Sequence, residues 1–206
     1  MKKIFAIFLS LAAFFVLILL VNTLSAFLAV LTIFLYSYLY TFILKRKTPL
    51  ATEIGGISGA LPPVIGWAAV KGDIGFEALV LFAILFLWQP PHFWALASRY
   101  RADYEKAGIP TLPVVRTDKE TKWRSLIYVM ALMIISPLPY YVGIAGKLYL
   151  LISSALGIIY LLLYLISLQS KRIPNGYLFY YSIIYLSFIF ILMATDVNPL
   201  ITKRHL

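Results

Sequence analysis

The chain has 206 residues, 62% of them hydrophobic and 13% charged, with a mean hydropathy of +0.91. Long apolar runs with short polar punctuation exclude a water-soluble core and set the class: an all-α, polytopic membrane helical bundle in contact with the lipid bilayer. With no Cys and two His, disulfides, thiolate catalysis, cysteine-ligated metals and a multi-histidine metal cage are excluded.

About seven transmembrane helices are expected, forming a single domain over residues 1–206. Met1-Lys2-Lys3 ahead of Ile4–Val21 has the layout of a signal peptide. That apolar run outlasts the ~7–15 residues of a signal core, so a retained helix is expected. The second span, Leu24–Leu44, carries Tyr36 and Tyr40 on one face and runs into Lys45-Arg46-Lys47-Thr48-Pro49. The third, Ile54–Val70, holds a stripe of small residues, Gly55, Gly56, Ser58, Gly59 and Ala60. Such a stripe permits close helix packing, and it equally leaves room for a bulky ligand. Leu61-Pro62-Pro63 interrupts this span, and Pro90-Pro91 interrupts the fourth, Phe76–Ser98. A proline inside a helix removes a hydrogen bond that neighbours or cavity water must replace. Two adjacent broken helices therefore predict a cavity between them.

Beyond the fourth span, Arg99 to Lys122 is the longest polar stretch of the chain. Three further spans follow, Trp123–Val142, Leu148–Leu168 and Tyr177–Thr195, the last two joined by a basic turn, Ser170 to Gly176. Each span is roughly 17–23 residues, enough to cross ~30 Å of hydrocarbon at ~1.5 Å per residue. Alternating the spans puts all of the 18 Lys and Arg on the N-terminal side except Lys71, Lys147, Lys203 and Arg204. That asymmetry makes the N-terminus and the elaborated loops cytoplasmic and the location the cell membrane. It also accounts for the net charge of +10 without a nucleic-acid partner.

Polar groups within spans are expensive and are candidates for function. Gln89 and His92 flank the proline pair; each is either a packing residue satisfied at the break or a ligand contact facing the cavity. In the following loop Arg99, Arg101 and Lys106 mix with Asp103, Tyr104 and Glu105. Such a mixture forms solvated ion pairs, or it holds Mg²⁺ while the cations bind a phosphorylated substrate. Lys45, Arg46 and Lys47 are likewise either topology signals or phosphate contacts.

Several dispersed strings carry a resemblance. Tyr40-Thr41, Leu44-Lys45-Arg46 and Thr48 precede Gly55-Gly56, Gly59-Ala60, Pro62-Pro63 and Gly66-Trp67. Trp88-Gln89, Pro91-His92-Phe93, Asp103-Tyr104 and the run Ala107-Gly108-Ile109-Pro110, Leu112-Pro113-Val114-Val115 follow. In this order and spacing they resemble the protohaem IX farnesyltransferases (haem O synthases), within the UbiA-type membrane prenyltransferases, over most of the chain. The resemblance implies a transferase acting on farnesyl diphosphate and haem b, with Mg²⁺ as cofactor. Carried onto matching positions, Asp103 binds Mg²⁺–diphosphate and Tyr104 orients the site. Lys45, Arg46, Arg99, Arg101 and Lys106 become diphosphate contacts, and Gln89 and His92 contact haem.

The family's N-x-x-x-D loop has no counterpart: Asn22 is followed four positions on by Ala26. The second acidic site is also incomplete, since Ala107 stands four positions after Asp103. By motif order Ile4–Val21 falls on the family's third helix, so an N-terminally truncated bundle is expected, lacking its first two helices. Asp103 would then be half a metal site, and activity would be impaired or depend on a second chain. The alternatives are a UbiA-type enzyme for a quinone precursor, or a non-catalytic transport protein or partner of haem–copper oxidase assembly proteins. The scarcity of ionisable groups within the spans argues against transport.

Overall fold

The computed structural model describes residues 2–170 and 173–197, without the side chains of Lys2 and Lys3. Lys171, Arg172, Lys203 and Arg204, part of the charge asymmetry above, lie outside the described residues. Within them the chain is helical, and the one β feature is an isolated bridge between Ala145 and Val197.

Helix α1 (Lys2–Leu20) packs on α2 (Thr23–Phe34). Asn22 makes the turn between them: its side chain accepts from the Ser25 N–H at 2.8 Å, capping α2. Its amide also donates to the Ala68 carbonyl at 2.8 Å, tying the turn to a later helix. The second span then widens into a π-helix over Leu35–Leu44. Its end is marked by the Lys45 N–H bonding back to the Tyr40 carbonyl at 2.8 Å. π-Helical turns are rare and concentrate at functional sites.

The third span is divided into α3 (Ala51–Ala60) and α4 (Pro62–Lys71). Pro62 and Pro63 open α4, where the missing N–H groups are not needed. In contrast, α5 (Phe76–Arg99) runs unbroken through Pro90-Pro91, which corrects the expected interruption. Near the prolines, Gln89 Nε2 donates to the Leu85 carbonyl at 3.2 Å, and the Tyr164 hydroxyl donates to that of Pro91 at 3.2 Å.

The polar stretch folds into α6 (Arg101–Lys106), α7 (Leu112–Val115) and the start of α8 (Asp118–Ile135), which Thr117 and Glu120 close with a capping box. A short α9 (Leu138–Tyr141), α10 (Lys147–Gln169) and α11 (Asn175–Thr195) complete the chain. Five helical stretches are long and apolar enough to cross a membrane: Thr23–Leu44, Phe76–Arg99, Asp118–Tyr141, Lys147–Gln169 and Asn175–Thr195. This is a multi-pass membrane bundle. The other two expected spans are also helical, as the shorter apolar stretch Ile4–Leu20 and as the divided pair α3–α4.

The main core lies between α5, α8, α10 and α11, around Ile84, Leu132, Tyr149, Tyr160, Tyr164 and Tyr185. Tyr149, Tyr164 and Tyr185 are tolerated there because their hydroxyls find partners, whereas that of Tyr160 has none among the described residues. Tyr149 donates to the Ser136 carbonyl at 2.6 Å, and the Ser136 and Tyr185 hydroxyls bond to each other. On the loop side Lys122 pairs with Asp118 at 2.9 Å and donates to the Ser167 carbonyl at 3.3 Å, while Asn175 donates to Asp118 at 2.8 Å. A smaller cluster, Leu28, Val64, Ala68 and Ala78, joins α2, α4 and α5.

Candidate functional site

A cavity of about 270 Å³ opens between the π-helix, α3, the facing side of α5 and the loop after it. Its basic mouth is Lys45, with Thr48 and Thr52 beside it, and Tyr104, Ile109 and Thr111 close it from the loop. Deeper, the wall is Gly55, Gly56 and Gly59 on one side and Gln89, Phe93, Leu96 and Ala97 on the other. Tyr36 and Tyr40, also in the lining, stack on each other with centroids 5.6 Å apart.

The glycines decide the shape. A methyl group on Gly55 would overlap the Tyr40 ring, and one on Gly59 would overlap the Gln89 amide oxygen. Gln89 is buried and fixed: its Nε2 donates to the Gly56 carbonyl at 2.9 Å, besides the bond to Leu85. Both readings of the small-residue stripe thus have a place, since the glycines admit two polar side chains and those side chains face the cavity. Thr111 Oγ1 is buried in the lining without a hydrogen-bond partner. An orphaned buried hydroxyl at a cavity wall indicates a polar ligand or water there.

Of the residues singled out from sequence, Lys45, Tyr104 and Gln89 come together in this lining. The other candidate diphosphate, metal and haem residues do not line it. Asp103, Arg46 and Lys106 are exposed. Arg101 donates to the Val114 carbonyl at 3.2 Å, holding α6 against α7. Arg99 donates to the Tyr180 hydroxyl at 3.0 Å and lies over the Tyr100 and Tyr180 rings. His92 faces α11, its Nδ1 2.7 Å from Ser182 Oγ, and its ring stacks on Trp88 and Phe179. A carbonyl freed by the prolines does not satisfy it; a serine does.

Thr111 and Thr52 were not singled out as site residues. The available signal was position: Thr111 falls inside the Ile109-to-Val115 string that carried the resemblance. Glu53, in the first turn of α3 ahead of the apolar run, is half-buried and its Oε2 is unpartnered. Burial pushes its carboxyl above the ordinary range, while a backbone hydrogen bond and the Arg124 charge oppose that.

Among the described residues no group of three or more His, Asp or Glu side chains could hold a metal ion. One exposed carboxylate, Asp103, does not build a Mg²⁺ site. At most it joins a cation that keeps water and substrate phosphates as its other ligands.

Comparison with known proteins bears on this arrangement. The profile of the UbiA prenyltransferase family matches residues 2–194. The protoheme IX farnesyltransferase of Aquifex aeolicus is 46% identical over 193 residues, covering 94% of this chain and 66% of the relative. That of Neorickettsia sennetsu is 47% identical, covering 85% of this chain and 58% of the relative. That of Gloeobacter violaceus is 44% identical, covering 93% and 64%. The chain thus spans about three-fifths of the length of these relatives, between 58% and 66%. No solved structure matches.

Proposed function

The chain belongs to the UbiA prenyltransferase family, and from that membership we propose that it transfers a farnesyl group from farnesyl diphosphate to a vinyl group of haem b, giving haem O. The observation that carries the proposal is the cavity itself: an apolar and aromatic chamber with a lysine at its mouth, in a chain 44–47% identical to relatives named protoheme IX farnesyltransferase.

A cavity near the lower end of the ~300–1,000 Å³ usual for ligand sites suits one isoprenoid chain. The tail lies along Gly55, Gly56 and Gly59, and the diphosphate meets Lys45, with Arg46, Arg101 and Lys106 supplying positive potential from the rim. Cations aimed at the leaving group stabilise the negative charge that develops as the allylic C–O bond breaks. The farnesyl cation left behind faces the rings of Tyr36, Tyr40 and Phe93, whose π faces attract positive charge. The vinyl electron pair then forms the new C–C bond. The resulting cation takes oxygen from water, which releases a proton to solvent, and diphosphate departs. Tyr104 orients the diphosphate end; Gln89 on the chamber wall and His92 on the α11 side of α5 are the contacts for haem in this reading. An aromatic, desolvated wall limits early quenching of the cation by water.

Mg²⁺ accompanies the diphosphate in this reading, with Asp103 as its single protein carboxylate; no step above runs through it. Its other ligands in this reading are substrate phosphates and water, and a second polypeptide or haem–copper oxidase assembly proteins are the proposed partners. The basic side, with Lys45 and the Arg99–Lys122 loop, faces the cytoplasm across the cell membrane.

Membranes containing the protein, incubated with haem b, farnesyl diphosphate and Mg²⁺, should accumulate haem O. No product, alongside an active relative, would remove independent catalysis. In an active preparation Asp103→Ala should abolish turnover; unchanged rates would take Asp103 out of the site.

A further inference from the structure

The cavity beside α5 has a floor. On α3 its lining recurs at Thr52, Gly55, Gly56 and Gly59, and on α5 at Ala97, Phe93 and Gln89. Pro63 and Phe86, the next residues along those two stripes, do not line it. The inner end is therefore closed where Gln89 stands against Gly59. Both parts of that amide are held. Nε2 has two protons, and both go to backbone carbonyls, that of Gly56 at 2.9 Å and that of Leu85 at 3.2 Å. Oε1 occupies the place a side chain on Gly59 would need. Buried and tied at both ends, Gln89 is a fixed wall.

The depth of the chamber can be set against the length of a prenyl chain. Along α5 the lining from Ala97 to Gln89 covers about 12 Å at a rise of ~1.5 Å per residue. An extended isoprene unit adds four in-line bonds, roughly 4.5 Å at extended-chain spacing. Three units match that depth. Two stop short of Gln89, and a fourth runs into it.

Beyond the amide the surroundings turn apolar. A methyl group on Gly56 would touch the Phe86 ring at 3.5 Å and the Gln89 amide carbon at 3.9 Å, so ring and amide lie side by side over that glycine. Phe86 stacks on Phe82 with centroids 5.8 Å apart, and Phe82 packs on the smaller core cluster of Leu28, Val64, Ala68 and Ala78. The carboxamide thus stands between the chamber and side chains on which a hydrocarbon tail could pack. We propose that Gln89 is the end-stop that fits the chamber to a farnesyl chain: its amide, held against Gly59, meets the terminal isoprene unit and excludes a fourth. Gln89 is then a specificity-determining residue for tail length. This rests on the reading of the chamber as the isoprenoid site.

The test is competition binding by the full chain in lipid nanodiscs, with Mg²⁺ and without haem. Radiolabelled farnesyl diphosphate is displaced by unlabelled geranyl, farnesyl or geranylgeranyl diphosphate. Wild type should bind farnesyl diphosphate most tightly and geranylgeranyl diphosphate roughly 10–100-fold more weakly. Gln89→Ala should bring geranylgeranyl diphosphate to within about threefold of farnesyl diphosphate, because the tail then reaches Phe86. Gly59→Ala, which drives the same amide away from α3 and into the chamber, should shift the preference the other way, toward geranyl diphosphate. That opposite shift tests the stop even where Gln89→Ala does not fold. Phe86→Leu alone, behind the stop, should keep the wild-type order. Combined with Gln89→Ala it should favour geranylgeranyl diphosphate outright.

Equal wild-type affinity for farnesyl and geranylgeranyl diphosphates would overturn the assignment, since the tail would then leave the chamber sideways between helices. So would a wild-type order in a Gln89→Ala protein that still binds farnesyl diphosphate, or a Gly59→Ala protein with no shift toward the shorter chain. Wild type that binds no displaceable farnesyl diphosphate would remove the chamber as the isoprenoid site, and the end-stop with it.

Discussion

On the side of α5 that faces α8, α10 and α11, Tyr149, Tyr160, Tyr164 and Tyr185 are fully buried, and three of their hydroxyls are held by Ser136 or Pro91. On the other side, toward the π-helix and α3, the contacts are glycine against polar side chain and much of the surface is open. The contrast extends outward: the four later spans are buried inside the bundle to a much larger extent than Thr23–Leu44. One helix thus separates a packed scaffold from a lined chamber. A site can be under-packed when the wall it shares with the scaffold is rigid. Here Gln89 and His92, three residues apart, are fixed from opposite directions, by Gly56 and by Ser182.

The contrast would break if both sides responded alike to truncation. Tyr185→Ala should cost about 3–5 kcal/mol, the range for large aromatic deletions in a core, whereas Tyr36→Ala should cost less than about 1 kcal/mol. Thermal unfolding in one detergent compares them; equal losses would mean the chamber wall is core as well. Filling the chamber probes it from inside. Gly59→Ala should displace Gln89, lowering stability by about 1–3 kcal/mol and slowing transfer, while Gly66→Ala, with open space around it, should do neither. The rim can be graded by kinetics. Lys45→Ala should raise KM for farnesyl diphosphate by roughly 10–100-fold, as loss of a charge-assisted contact of about 1.5–3 kcal/mol, and exposed Arg46→Ala by less than about fivefold. The smallest effect lies at Glu53. Burial raises its folded pKa, so the folded state holds the proton more tightly than the unfolded chain. Stability should therefore fall as pH rises from the ordinary carboxylate value of about 4.3 through the raised one. Glu53→Gln should flatten that slope, by less than about 1 kcal/mol for a half-buried group; an unchanged pH profile would remove the effect.

Hydropathy alone disclosed the helical class, and the runs between polar turns located the apolar helical stretches to within about five residues, but not α6 and α7 in the polar loop. It misplaced one break. Pro62-Pro63 divides its span because Pro62 falls at a helix start, while α5 continues through Pro90-Pro91 with Gln89 anchored on Gly56 and Tyr164 on the Pro91 carbonyl beside it. Those contacts come from side-chain direction and from a helix seventy residues away, which no local pattern encodes. The π-helix was equally hidden, since Tyr36 and Tyr40 read as one face in either winding. For the site, Lys45, Gln89 and Tyr104 were legible as polar exceptions in apolar or motif-rich surroundings. Arg99, Arg101 and Asp103 looked like their companions by proximity in sequence, but none lines the chamber: Arg99 bonds Tyr180, Arg101 bonds the Val114 carbonyl, and Asp103 is exposed.

The most direct test of the chamber as the isoprenoid site is photo-crosslinking with a farnesyl diphosphate analogue bearing a diazirine in its tail, with adducts mapped by peptide mass spectrometry. Adducts on Tyr36, Tyr40, the Gly55–Gly59 segment or Phe93, competed away by farnesyl diphosphate and lost in Gly59→Leu, are the predicted result. Adducts on the outward faces of α10 or α11, or labelling that farnesyl diphosphate does not displace, would contradict it.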